Sequence, residues 1–174
     1  KLFGGKNLAQ PTCQALPPGF PGHADYCPYT KNPDKKWSAP DLAKAKALVK
    51  ESGTAGQEVT IIAEDTAISK AMGAYLQSLL NELGYKTSVK ALSSDIQWQY
   101  ISNTKNKMQI GLSTWYEDYP AASDFLYILL GCASFHPGSD VSPNVSGFCV
   151  KDIDAKMQDA MSTITRMGKD AEQA

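Results

Sequence analysis

The spacing of apolar and polar positions changes several times along this chain, and each change predicts an element. Leu42, Ala45, Leu48 and Val49 fall on one stripe of a helix. Ahead of them, Ser38-Ala-Pro-Asp41 offers a serine cap, a proline for the first turn and an acid at the positive end of the helix dipole. With Gly53 as the stop, this helix is expected over about 40–52. Glu58 to Ala63 (EVTIIA) is apolar and β-branched, as in a buried strand. Ile68, Met72, Leu76, Leu79, Leu80 and Leu83 recur at spacings of three and four, the period of an amphipathic helix, and Gly84 closes it. Lys86 to Leu92 alternates as a second strand. Ser93 or Ser94 then caps a third helix carrying Ile96, Tyr100 and Ile101.

The stretch from Gln109 to Leu130 combines three elements. Ile110 and Leu112 suit a short buried strand, 115–119 form an aromatic and acidic corner, and the chain restarts at Pro120 into a helix over 121–130. A last amphipathic run, Ile153, Met157, Ala160, Met161 and Ile164, predicts a helix from about 151 to 167. Strands alternating with helices imply an α/β fold, with a mixed, mostly parallel sheet flanked by helices. In such folds ligands bind outside the carboxyl ends of the strands, so the corner at 115–120 is the first candidate for function. A second reading keeps Trp115 and Tyr119 as core aromatics and uses Glu117 and Asp118 to cap the following helix.

Two stretches lack either period. Residues 1–38 are rich in proline and glycine, and LPPGFPG (Leu16 to Gly22) is held extended, because each proline fixes its own φ and steers its predecessor away from the helical region. Residues 131–150 form a second loop rich in glycine, serine and proline. Each loop holds two of the four cysteines, Cys13 with Cys27 and Cys132 with Cys149. An even number of loop cysteines points to disulfides and an oxidising compartment, although four cysteines allow three connectivities.

Composition narrows the function classes. The 174 residues form one expected domain, 1–174, with 1–38 as an extended loop and 39–167 as the core. Charged residues make up 20% and the net charge is −1, with a sequence pI of about 6.1, so no electrostatic excess favours nucleic acid as a partner. The longest apolar run, Phe125 to Leu130, is far short of the ~20 residues that span a bilayer. The chain opens on Lys1 without a secretory segment and its last helix runs into GKDAEQA, so it is expected to be part of a longer polypeptide.

Zinc is disfavoured, because no CxxC or HxxxH pair accompanies the cysteines, and His23 and His136 read as surface loop residues. Phosphate-loop, serine-hydrolase, zincin and dinucleotide signatures are all missing, and no cofactor is expected. Asn144-Val-Ser146 fits a glycosylation sequon but reads as ordinary loop. A carboxylate among polar-edged aromatics, as at 115–119, suits an ammonium-bearing ligand.

At this corner the chain resembles family 5 of the extracellular solute-binding proteins, the oligopeptide- and dipeptide-binding receptors of ABC importers. LPPGFPG is similar to the family's LPPG…PG segment, and PDLAKAKALVKESG, Pro40 to Gly53, resembles its A-K-A-L-L-x-E-A-G helix. The run Ile68 to Gly84 resembles I-x-x-x-L-Q-x-x-L-x-x-x-G. WYEDYPAASDFL resembles W-x-x-D-Y-P-D-P-x-x-F-L, and NVSGFCVKDIDAKMQDA resembles the final N-x-S-x-Y-x-x-P-x-x-D-x-L-x-x-A.

The resemblance implies a lobe of the periplasmic-binding-protein type II architecture, here the carboxyl-terminal lobe of a larger two-lobed protein whose amino-terminal lobe is missing. It implies that Asp118 pairs with a ligand's amino terminus and that Trp115 forms a pocket wall. Tyr116, Tyr119, Asn144 and Phe148 are further candidates for the cleft face. It also implies non-catalytic capture of a peptide or another amine-bearing solute, delivery to ABC permease subunits, and an extracellular or periplasmic location with a membrane tether in a preceding segment. The chain departs from the pattern in two ways. Before the W-x-x-D motif it offers only Lys105 and Lys107 where some members place arginines for a ligand's carboxylate, and its paired cysteines are unusual for the family. Two other function classes remain: a secreted enzyme using Asp118 or Glu117 as general acid or base, and a disulfide-stabilised interaction module.

Overall fold

A computed structural model describes residues 3–5, 7–34 and 36–172, and side chains as far as Thr163. Its regular elements follow in chain order as α1 (Leu42–Ser52), β1 (Glu58–Glu64), α2 (Ala67–Glu82), β2 (Lys86–Leu92), α3 (Ser94–Ser102), β3 (Ile110–Gly111), α4 (Ala122–Leu130) and α5 (Lys151–Glu172). All strand pairing is parallel and the order is β2-β1-β3. Central β1 runs beside β2 from Glu58 opposite Lys86 to Glu64 opposite Leu92, and Ile61 and Ile62 face Ile110 and Gly111 of β3. Three consecutive β1 residues, Ile61, Ile62 and Ala63, are buried, as expected for a strand covered on both faces. Gly73 of α2 lies against Ala63 of β1, while Ile101 of α3 lies against Gly111, the register partner of Ile62 on the other face, so α2 and α3 cover opposite sides of the sheet.

The α2 face needs a glycine. A Cβ on Gly73 would stand 3.0 Å from Val89 Cγ1 and 3.7 Å from Ala63 Cβ, so this residue sets how closely α2 lies on β1 and β2. At the far edge, β3 is short, as Ile110 and Leu112 predict, and side-chain amides complete the pairing on either side of it. Gln109 accepts from Thr60 N through Oε1 at 2.8 Å and donates through Nε2 to Glu58 O at 2.9 Å. Gln97, almost fully buried on α3, donates to Leu112 O at 2.7 Å and caps the strand where it ends. That demand rotates α3 from the expected phase: Ile101 is buried, whereas Ile96 is 54% exposed.

Helix α1 begins later than expected. Asp41 is its cap, accepting from Lys44 N at 3.0 Å, while Ser38 Oγ is engaged with Thr30 Oγ1 at 2.9 Å. Gly53, at φ 67°, ends the helix as predicted. Helix α5 extends beyond the predicted 167. Its Ile153 is 44% exposed and Met157 and Met161 are half-buried, while Ile164 of the predicted stripe lies outside the described side chains.

Both disulfides join neighbours in sequence, Cys13 to Cys27 and Cys132 to Cys149. The first staples the proline-rich loop, which packs on the core by setting Phe20 edge-on against Phe125 of α4, with ring centroids 5.1 Å apart. His23 is no surface residue. Its side chain is 13% exposed, and its Nδ1 lies 2.9 Å from Leu16 O, tying the two ends of LPPGFPG together. His136 is exposed.

Candidate functional site

The sheet order places a crevice where ligands of α/β folds are held. The carboxyl ends of the adjacent strands β1 and β3 lie side by side, with the chain running on to α2 from one and to the corner at 115–119 from the other. A cleft of about 810 Å³ lies there. Glu64 and the start of α2 form one wall, 111–116 form the other, and Met72 and Phe3 add apolar surface. A second hollow of about 600 Å³, around Cys13, His23 and Trp37, belongs to the amino-terminal loop and has no such relation to the strands.

The second wall of the cleft is held by a residue that the sequence pattern does not single out. Asp124, in the first turn of α4, is fully buried. Its Oδ2 accepts from Trp115 Nε1 at 3.3 Å and from the backbone N–H of Asp118 at 2.9 Å, while its Oδ1 is buried without a hydrogen-bond partner. One carboxyl group thus fixes both ends of the corner at 115–118. Trp115 also meets Trp98 of α3, with centroids 6.1 Å apart. An acid in the first turn of an apolar helix reads as a dipole partner, and only its burial reveals the clamp.

Because Asp124 holds the Asp118 backbone, the Asp118 side chain is left exposed, and its carboxylate makes no hydrogen bond or ion pair among the described residues. Trp115 is half-buried and lines the cleft together with Tyr116, which is 82% exposed. Tyr119 is 42% exposed and its hydroxyl lies 3.2 Å from Ser123 Oγ. Glu117 is exposed and caps nothing; Ala121 occupies the cap position of α4.

Of the six expected cleft residues, only Trp115 and Tyr116 are in the lining of this cleft; Asp118, Tyr119, Asn144 and Phe148 are not. Asn144 is fully buried, and its Nδ2 donates to Gly131 O at 3.0 Å and to Phe148 O at 2.7 Å, closing the loop that Cys132 and Cys149 span. With both amide hydrogens engaged, Asn144 is no acceptor for a glycan in the folded chain.

The family model for bacterial extracellular solute-binding proteins, family 5 Middle, matches residues 3–137. No curated protein sequence matches the chain. Among similar solved structures, the dipeptide-binding protein of Pseudoalteromonas sp. SM9913 in complex with Met-Leu is 21% identical, with a TM-score of 0.63 over 83% of this chain and 27% of that one. The periplasmic binding protein DppA from Helicobacter pylori, in complex with the peptide STSA, is 20% identical, with a TM-score of 0.62 over 78% of this chain and 25% of that one. The clavulanic acid biosynthesis oligopeptide binding protein 2 is 18% identical, with a TM-score of 0.69 over 83% and 27%. These likenesses establish the fold of a periplasmic-binding-protein lobe, and the chain spans about a quarter of the length of each structure. With the family model matching more than half of its residues, the chain belongs to the bacterial extracellular solute-binding proteins, family 5.

Proposed function

We propose that this chain is the carboxyl-terminal lobe of a two-lobed receptor that captures a small peptide, or another amine-bearing solute, for import by an ABC permease. The observation that carries the reading is the exposed, unpartnered carboxylate of Asp118, which follows by two residues in sequence the cleft-lining Tyr116 and whose backbone Asp124 holds in place. A ligand's ammonium group pairs with Asp118 while Trp115 and Tyr116 cover its apolar parts, and Tyr119 stands close by in sequence. Asn144 and Phe148 act behind this surface, by holding the second loop in shape. The peptides bound to two of the similar structures support the ligand class, and the chain's share of their length supports a single lobe.

Closure of a second lobe over the cleft buries the ligand and strengthens its charge pairing by excluding water. The receptor works outside the cytoplasm, tethered to the membrane through a segment preceding this chain, and no bond-making step is involved. Native mass spectrometry of the full-length receptor purified from its host tests the reading. A co-purified peptide or amine that is shed on unfolding supports it; a receptor that carries no ligand and binds none from a peptide mixture overturns it. This chain alone offers half a cleft and is expected to bind no tripeptide more tightly than about micromolar in calorimetry.

A further inference from the structure

Glu64 occupies the last position of β1, on the wall of the cleft that faces Trp115 and Tyr116. Its backbone is fixed, because Ser69 Oγ accepts its N–H at 3.0 Å and the strand ladder ends there, with Glu64 opposite Leu92. Its side chain is half-buried, yet among the described residues the carboxylate makes no hydrogen bond and no ion pair. The residues lining the cleft with it include the apolar Phe3, Ile68, Met72 and Leu112, and among the described residues no lysine, arginine or histidine lines it. A carboxylate partly removed from water without a cationic partner is unfavourable, and the penalty grows when the cleft closes. A cation delivered by the ligand removes it.

We propose that Glu64 is a specificity-determining residue of this cleft, pairing with a second positive charge on the ligand, such as a lysine side chain, in addition to the ammonium group held by Asp118. The inference rests on the receptor reading above and narrows it to solutes carrying two cationic groups. Nearby α2 gives Glu64 a second environment. Thr66 caps that helix by accepting from Ser69 N at 3.2 Å, and the helix's positive end lies close to Glu64 in sequence. A role confined to that helix end would affect stability and leave ligand choice untouched.

The test is calorimetry on the full-length receptor with paired alanine tripeptides, carrying either lysine or its uncharged analogue norleucine at each position in turn. At one position, lysine is expected to bind about tenfold tighter than norleucine. Glu64→Gln should reduce that preference to within about twofold. Norleucine peptides that bind with no preference for lysine at any position overturn the inference alone, as does a preference that survives in Glu64→Gln. Failure of every tripeptide to bind the wild-type receptor overturns the receptor reading, and the inference with it.

Discussion

Substituting Asp124 with alanine removes the clamp on the corner, and its cost follows from the hydrogen bonds that Asp124 makes. Its Oδ2 accepts from Asp118 N at 2.9 Å and from Trp115 Nε1 at 3.3 Å. Hydrogen bonds to a charged group contribute about 1.5–3 kcal/mol each, and the longer one belongs at the low end, so about 4 kcal/mol of favourable interaction disappears. An acid in the first turn of α4 adds about 0.5 kcal/mol through the helix dipole. Against this, alanine also removes Oδ1, a buried oxygen without a partner, and relieves about 1–3 kcal/mol of desolvation. The net loss is about 2.5 kcal/mol, corresponding to roughly 5–10 °C in Tm for a chain of this size.

Urea unfolding of this chain, followed by tryptophan fluorescence, measures that loss. Asp124→Asn separates the acceptor from the charge: its carbonyl oxygen still receives both donors, while its NH₂ group is left without an acceptor, so a loss of about 1 kcal/mol is expected. The reasoning is refuted if Asp124→Ala unfolds within about 0.5 kcal/mol of wild type, or if Asn proves as damaging as Ala. Fluorescence gives a second readout, because release of the Trp115 indole in the alanine variant should shift emission to the red before unfolding begins.

Other consequences are independent of the clamp. Gly73→Val places a branched side chain where a Cβ alone would come within 3.0 Å of Val89, and overpacking should cost about 2 kcal/mol, read as a lower urea midpoint with an unchanged slope. Replacing Cys132 and Cys149 together with alanine opens a loop of sequence separation 17 and should lower stability by about 3 kcal/mol in the same assay. Asn144→Ala removes the donor shared by Gly131 O and Phe148 O and should cost about 2 kcal/mol; a cost below 0.5 kcal/mol would show that the loop holds its shape without it.

The sequence pattern specifies the elements whose burial follows periodicity. In β1, β2 and α2 the apolar positions and their stops are close to the observed bounds, because packing on a sheet decides both. The short β3 is legible from Ile110 and Leu112, but the side-chain amides of Gln109 and Gln97 that complete its edge are not, since an amide that pairs with backbone looks like any polar residue in a string of letters. Ile96 shows the same problem from the other side: the helix turns to deliver Gln97 to Leu112 O, and an isoleucine is left exposed as a result. In the site, the W-x-x-D corner is legible from its density of rings and acids. Asp124 and Glu64 are not, because their significance lies in what surrounds each carboxyl group: Asp124 is fully buried beneath the corner, and Glu64 stands unpaired in a cleft formed by residues distant in sequence.

The central claim is that the freely presented Asp118 carboxylate anchors the positive end of a ligand. Calorimetry on the full-length receptor with a tripeptide it binds, comparing wild type with Asp118→Asn, measures this directly. Loss of the charge pair is predicted to weaken binding by about a hundredfold, with acetylation of the peptide's amino terminus costing wild type a similar factor and the variant little more. Wild-type affinity in Asp118→Asn would contradict the account.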